Sequence, residues 1–407
     1  MKILNFGSCN IDYVYSVDHI VTPGETETTD DLKLFPGGKG LNQSIAISRA
    51  GMKIYHAGCL GNDAEMLHNI LSESGVDTTY IKNVDAKNGH AIIQVNKHGE
   101  NSIFLYPGSN CMITTDFVDS VLDNFSEGDI ILLQNEINNL EYIIENAYAK
   151  KMCIVLNPSP FNETIKKIDL NMISYLILNR IEAGEISGKN NTDDIIDFFR
   201  TNYPGLKIML TLGSDGGVYI DKDNEIYQPI FEVTPVDTTA AGDTFTGYFI
   251  AGIAESDNYA KVLRTASCAS AITVSRNGAA PSIPLKSEVI LSLHKLKEKK
   301  IPTSDKVFEK INRYITENLP SANLNELSKL LGYSQVHTGN LIRKIYDKSF
   351  SKVLQDKRCD IAAEMLKYTD LSVEEIIKST GYENESFFRK IFKEKYGKNP
   401  LDYRKNS

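Results

Sequence analysis

The sequence has no apolar run approaching the roughly 18 residues that a membrane span requires, so a transmembrane protein is not expected. It begins MKILNFGSCNID, without the basic, apolar and small-residue succession of a secretory signal, and a cytoplasmic location is the expectation. Its six cysteines, Cys9, Cys59, Cys111, Cys153, Cys268 and Cys359, are scattered, with no C-x-x-C pair and no clustered histidines. That pattern argues against a disulfide framework and against a thiolate zinc site. No G-x-x-x-x-G-K-[ST] occurs either, so a Walker A loop is excluded.

What is present is 407 residues, more than one ordinary core accommodates, and two domains are expected. The composition, 42% hydrophobic and 24% charged, is that of a globular protein. The net charge of −9 is unevenly divided: residues 1–300 hold 25 Lys+Arg against 38 Asp+Glu, net −13, and residues 301–407 hold 19 against 15, net +4. A change of sign at one point suggests parts with different partners. At that point a Lys-rich stretch, HKLKEKK, gives way to IPTSD and then to a new helical pattern from Val307. The linker is therefore placed at Ile301–Asp305, between domains 1–300 and 301–407.

In the first part, short β-branched runs (KILNFG, IYHAG, DIILLQ, MCIVLN, YLILN, KIMLTLG) alternate with helical stretches after Gly40, Asn62 and Asn139. This predicts an α/β fold, a doubly wound and mostly parallel sheet with ligands at the carboxyl ends of its strands. GSCNID places Asn10 and Asp12 just past the first strand. PGGKGLNQ packs three glycines around Lys39 and then opens an amphipathic helix containing Asn42. Further on, FEVTPV reads as a strand, DTTAAGD follows it, and TFTGYFIAGIA has helical spacing. A strand-to-helix junction has backbone N–H groups without intrahelical partners, and Ala240, Ala241 and Gly242 leave that end open to an anion such as phosphate. Asp243 then places a carboxylate beside the anion site.

In order along the chain, GSCNID, TPGET, PGGKGLNQ, QNE, LNPSP, NRIE, TLGSDG, DTTAAGD and SRNGAAPS resemble the landmarks of the ribokinase-like (PfkB) family of sugar kinases over about residues 1–295. The resemblance implies a doubly wound domain with a small β-sheet lid, drawn from residues near Tyr13–Val17 and Gly89–Tyr106. It implies ATP-dependent phosphorylation of a sugar hydroxyl, with ribose as the favoured substrate, and Mg2+ and a monovalent cation, K+, as cofactors. By resemblance, Asn10, Ile11, Asp12, Gly38, Lys39, Gly40, Leu41, Asn42 and Glu136 surround the sugar. Asp243 takes the proton of the attacking hydroxyl, while Ala240, Ala241 and Gly242 stabilise the transferring phosphoryl group. Asn179 and Glu182 match the family's N-x-x-E magnesium site. Thr211, Leu212, Gly213, Ser214, Asp215, Gly216 and Ser267 would hold the nucleotide. Asp237, Thr239, Thr273, Arg276, Gly278 and Ser282 match the monovalent-cation site, mostly through backbone carbonyls. A homodimer is expected. Two readings stay open: an active kinase for ribose or for another pentose, hexose or nucleoside, or a sugar-sensing regulator with weak turnover.

From Val307 to Arg404 the pattern is helical, and NELSKLLGYS echoes VEEIIKSTGYENES. Superposing Gly332 on Gly381 sets the repeat at 49 residues and pairs Glu326 with Glu375 and Tyr333 with Tyr382. Helix, glycine turn and second helix make a helix-turn-helix, present twice. The segment resembles the AraC family's DNA-binding domain, with Ser351–Leu366 as its joining helix. The resemblance implies recognition helices at about Gln335–Ile345 and Asn384–Lys395 lying in the major groove of duplex DNA. Gln335, His337, Asn340, Arg343, Asn384, Glu385, Ser386, Arg389 and Lys390 are the candidate contacts.

Overall fold

A computed structural model describes every residue except 30, 99, 191, 300–304, 347, 370, 383, 406 and 407. Its strands, in chain order, are β1 (Ile3–Phe6), β2 (Asn10–Val17), β3 (Leu32–Gly37), β4 (Ile54–Leu60), β5 (Asp77–Asn83), β6 (Gly89–Asn96), β7 (Asn101–Tyr106), β8 (Ile130–Gln134), β9 (Cys153–Asn157), β10 (Tyr175–Asn179), β11 (Lys207–Thr211), β12 (Gly217–Ile220) and β13 (Glu225–Gln228). Nine of them form one sheet in the order β13-β12-β11-β10-β9-β8-β1-β4-β5. It is parallel from β5 to β11, with β12 and β13 added antiparallel at one edge.

The apolar strand runs are buried on both faces, as a sheet covered twice demands. On β8, Ile130 and Leu132 belong to one core and Ile131 and Leu133 to the other. Helices Lys39–Arg49, Ala241–Glu255 and Tyr259–Val274 cover the first face; Thr115–Leu122, Leu140–Ala149 and Thr192–Asn202 cover the second. The entry of the first of these helices depends on glycine. A Cβ at Gly40 would lie 2.4 Å from the Ser8 backbone nitrogen, so only glycine lets the helix start against the end of β1.

A second, four-stranded sheet has the order β3-β2-β6-β7 and includes the segments expected to form a lid. The β6–β7 hairpin pairs His90 with Tyr106 and Val95 with Asn101. β3 was not foreseen, because its Leu-Lys-Leu-Phe precedes a glycine-rich stretch that reads as loop.

One expectation fails. FEVTPV is no strand: Phe231 makes a single bridge to Glu298, and the rest carries no ladder. The segment is tied only by isolated bonds, Glu232 N–H to the Lys297 carbonyl (2.8 Å) and Val236 N–H to the Val274 carbonyl (2.8 Å). Pro235 cannot donate to a ladder, and β13 already closes that edge of the sheet. The helix after DTTAAGD is therefore entered from a loop.

Two compact units divide the chain: Met1–Asn190 with Asp194–Lys299, and Lys300–Ser407 with Asn191–Asp193. Of the expected linker, residues 301–304 lie outside the described residues, and helix Asp305–Glu317 follows. The second unit contains helices Leu324–Leu331 and Gln335–Tyr346, then Phe350–Tyr368, then Val373–Ser379 and Glu385–Tyr396. The 49-residue repeat extends to single bonds. Asn323 caps the Glu326 N–H as Ser372 caps that of Glu375. Tyr333 N–H reaches the Ser328 carbonyl and Tyr382 N–H the Ile377 carbonyl, both at 3.1 Å. Each half has its own core, Leu327 and Ile342 in one, Ile376 and Ile391 in the other. The Phe350–Tyr368 helix enters both, with Phe350 and Leu354 in the first and Ala362 and Leu366 in the second.

Candidate active site

The polar residues that end the strands converge. β1 runs into Ser8, β8 into Glu136, β9 ends on Asn157, β10 on Asn179 and β11 on Thr211. A cavity of about 300 Å³ is lined by Lys39, Asn157, Ser159, Asn179, Glu182, Thr211, Thr238, Ala240, Gly242 and Asp243, among others. At one side stands the N-terminus of helix Ala241–Glu255. Ala240 is its cap, left-handed at φ 59°, and no side chain caps the first turn. The Ala241 N–H, expected to face the anion, is instead spent on the Thr238 carbonyl at 3.3 Å, and Thr244 N–H bonds the Ala240 carbonyl at 2.8 Å. The N–H groups of Gly242 and Asp243 are thus unspent, and a Cβ at Gly242 would meet nothing within 4 Å. That is an anion site by geometry.

Asp243 is buried, 8% exposed, and both of its oxygens accept from amides: Oδ2 from Asn42 Nδ2 at 3.0 Å and Oδ1 from Gln43 Nε2 at 2.8 Å. Glu136 Oε2 accepts from Ser8 Oγ at 2.5 Å and from the Lys39 backbone N–H at 3.1 Å. Burial pulls the Lys39 ammonium down, but Asp243, Glu136 and Glu182 together outweigh it, and its pKa lies above the ordinary value. Burial, reinforced by Glu136 and Asp243, pushes the Asp12 carboxyl up to about 7. Burial also pushes Glu136 up, against Lys39 and Ser8. Three carboxylates around one ammonium leave a surplus of acceptors, the need of a polyol's hydroxyl donors.

Other candidates are held by their own local bonds. Asn10 is at the start of β2, with Oδ1 accepting from Asn110 Nδ2 at 2.7 Å. Gly38, at φ 92°, passes so near β2 that a Cβ would lie 2.9 Å from the Asn10 nitrogen. The Ile11 and Leu41 side chains point into the core, so these two can offer only backbone. Asn179 and Glu182 form a capping box: Asn179 Oδ1 accepts from the Ile181 and Glu182 N–H groups, and Glu182 Oε2 from the Asn179 N–H. Ser159 Oγ donates to the other Glu182 oxygen. Leu212, Gly213, Ser214, Asp215 and Gly216 make a turn beyond β11, where Leu212 N–H bonds the Gly216 carbonyl. Ser267 Oγ donates to the Pro229 carbonyl.

Asp237 ties two loops together. Its Oδ1 accepts from Thr239 N–H (2.9 Å) and Oγ1 (2.6 Å), and its Oδ2 from Gly278 N–H (2.9 Å). Burial raises its pKa, but these hydrogen bonds outweigh burial and hold it below the ordinary range. Arg276 is ion-paired with Glu288 at 2.6 Å. Thr273 Oγ1 faces Thr244 Oγ1, and Ser282 Oγ donates to the Ala279 carbonyl. Among the described residues no cluster of three or more His, Cys, Asp or Glu side chains is arranged to hold a metal.

Gln43, Asn110, Asn157 and Ser8 went unassigned in the sequence, although Gln43 and Asn157 lie inside PGGKGLNQ and LNPSP. Their partners are far away along the chain, so spacing gives no hint of them.

In the second unit, Gln335, Asn340 and Arg343 are exposed on helix Gln335–Tyr346, with Gln335 Nε2 donating to Asn325 Oδ1. His337 stacks on Tyr333, ring centroids 4.5 Å apart, and burial lowers its pKa. Asn384 caps helix Glu385–Tyr396 by accepting from Phe387 N–H. Glu385 and Arg389 pair with each other at 2.5 Å, while Ser386 and Lys390 are exposed.

Residues 1–286 match the pfkB family carbohydrate kinase model and residues 327–406 the helix-turn-helix domain model. Ribokinase of Staphylococcus aureus is 34% identical over 299 residues, covering 71% of this chain and 98% of that protein. The solved ribokinase of Thermotoga maritima superposes with a TM-score of 0.65 at 31% identity, covering 72% of this chain and 100% of that one. A ribokinase of Cryptococcus neoformans, solved in complex with ADP, gives 0.64 at 30% identity and covers 71% and 99%. No described helix is long and apolar enough to cross a membrane. The chain belongs to the pfkB family of carbohydrate kinases, is an ATP-dependent kinase, and carries a helix-turn-helix DNA-binding domain after its kinase domain.

Proposed function

We propose that the chain phosphorylates D-ribose at its 5-hydroxyl, with Asp243 as the base, and binds duplex DNA through residues 301–407. The single observation that carries the catalytic reading is the juxtaposition at one helix end: the buried Asp243 carboxylate stands beside the unspent N–H of Gly242 in a cavity shared with Lys39 and Glu182. The sugar hydroxyl gives its proton to Asp243 as its oxygen bonds to the γ-phosphorus, and the bond from that phosphorus to the ADP oxygen breaks. The helix N-terminus, through Ala240 and the unspent N–H of Gly242, stabilises charge on the transferring group. Phosphoryl transfer asks mainly for such positioning and charge stabilisation. Asn10, Asp12, Asn42, Lys39 and Glu136 bind the sugar, and Asn42 Oδ1, buried without a partner, awaits a hydroxyl donor. Ribose is favoured by the names of the Staphylococcus aureus and Haemophilus influenzae relatives, both ribokinases.

The Glu182 carboxylate suits magnesium, a hard cation, held with the nucleotide, where it would neutralise phosphate charge, while Asn179, its side-chain oxygen taken by two N–H groups, orients that carboxylate through the capping box. The loops joined by Asp237 offer backbone carbonyls, the donors a potassium ion takes. Leu32, Leu34, Ile92, Ile103 and Phe104, exposed on the four-stranded sheet, support pairing of two copies.

Steady-state ADP release with a panel of pentoses, hexoses and nucleosides tests the reading, ribose giving the highest kcat/KM. Sugar binding with no ADP release above background for any sugar would instead make the first unit a sensor.

A further inference from the structure

We propose that Gln43 is a positioning residue for phosphoryl transfer: its amide fixes the plane of the Asp243 carboxylate in the orientation that receives the sugar proton. This rests on the reading of Asp243 as the base. Gln43 is fully buried and is not among the residues lining the cavity, so it acts through Asp243 and not on substrate.

Its side chain has one arrangement. Gln43 Nε2 donates to Asp243 Oδ1 at 2.8 Å and to Asn157 Oδ1 at 3.0 Å, while its Oε1 accepts from Gln134 Nε2 at 2.8 Å. An amide turned end for end would place its oxygen against two acceptors, and the surrounding bonds forbid that. From one side, Asn157 Nδ2 is held by the Ile177 carbonyl at 2.9 Å, so its oxygen must face Gln43. From the other, Asn5 Nδ2 is held by the Gly40 carbonyl at 2.7 Å, so its oxygen must accept from Gln134 Nε2 at 3.0 Å. Gln134 in turn presents an N–H to Gln43. Backbone carbonyls, which can only accept, thus set every amide in the series, and the last free donor falls on the carboxylate. Asn42 holds the second oxygen. Each carboxylate oxygen retains a lone pair for the reaction, but the plane cannot rotate without breaking a buried bond. Such bonds are strengthened by a low local dielectric.

The test is Gln43→Met, similar in volume and without donors. We expect kcat to fall roughly 10- to 100-fold, the factor of one hydrogen bond to a charged group, with KM for sugar and for ATP changed less than about threefold. In an Asp243→Asn background Gln43→Met should cost nothing further, whereas a general loosening of the fold would cost the same factor in both. Equal losses in both backgrounds, or a kcat above half of wild type, overturn the proposal. Should Gln43→Met not fold, Gln43→Leu, also without donors, decides; kcat within twofold of wild type there overturns it as well. A near-normal kcat in Asp243→Asn alone would instead remove the base assignment, a separate failure.

Discussion

The two units treat polar side chains in opposite ways. The kinase unit buries Asn5, Asn42, Gln43, Gln134, Glu182 and Asp243, each less than a tenth exposed. In the helical unit the buried polar side chains among the described residues are Ser328, Thr338 and Thr380, all uncharged. The difference follows from what each is proposed to do. A base and an anion site act strongly only where water is excluded and their directions are fixed beforehand. Side chains that meet phosphates and base edges must stay exposed until DNA arrives. One chain therefore specifies a rigid polar interior in one part and an apolar interior with a polar skin in the other.

The largest effect that would break this comparison is at Asp243, the proposed base. Asp243→Asn should lower kcat by roughly 10²–10⁴, the worth of a positioned base, with sugar affinity by calorimetry nearly unchanged. Retention of more than about a tenth of kcat in the ADP-release assay would mean that the buried carboxylate is not used as proposed.

The helical unit provides its own internal contrast. Gly332 and Gly381 occupy equivalent left-handed turns, φ 71° and 81°. A Cβ at Gly332 meets nothing within 4 Å, whereas one at Gly381 would be 2.5 Å from the Pro320 Cα and carbonyl oxygen. Arg358 binds the same place, donating to the Leu319 and Pro320 carbonyls while lying over the Tyr382 ring. Gly332→Ala should cost about 1–2 kcal/mol of left-handed strain. Gly381→Ala should cost about 3–5 kcal/mol, because overpacking adds to that strain. Thermal unfolding of the two variants decides it; equal losses would show that the repeats pack alike.

A third effect is in the pH dependence of the sugar site. The folded pKa of Asp12, about 7, lies above its unfolded value. Its contribution to stability is then fully present below the unfolded pKa and is lost as pH rises through 7. Sugar hydroxyls donate best to the ionised form, so KM for the sugar should fall about tenfold from pH 6 to 8 as Asp12 loses its proton. Asp12→Asn should flatten that profile and also remove the decline in ligand-free melting temperature across the same window. An unchanged slope in the variant would assign the titration elsewhere.

The smallest effect is on the exposed surface. Lys390→Ala should weaken duplex binding and reduce the salt slope by about 1, the signature of one phosphate contact. Arg389→Ala should do less, because Arg389 is already engaged by Glu385. Fluorescence anisotropy at several salt concentrations separates the two, and a larger loss at Arg389 would reverse the assignment.

The sequence by itself determined what local rules control. Both-face burial wrote apolar runs into β8, β9 and β10, and the two helix-turn-helix units repeat their caps and glycine turns at 49 residues because those bonds close within a few positions. DTTAAGD could be read as an uncapped helix start for the same reason. FEVTPV misled because a β-branched run does not reveal whether a neighbour is free to pair with it. Only the tertiary structure decided the orientation of the Asp243 carboxylate. Its partners Asn42 and Gln43 are 201 and 200 residues away, and Gln134 is a further 91 from Gln43. An amide can donate or accept with equal ease, so its residue type says nothing about which it does. That choice is made by backbone carbonyls that the fold brings beside it.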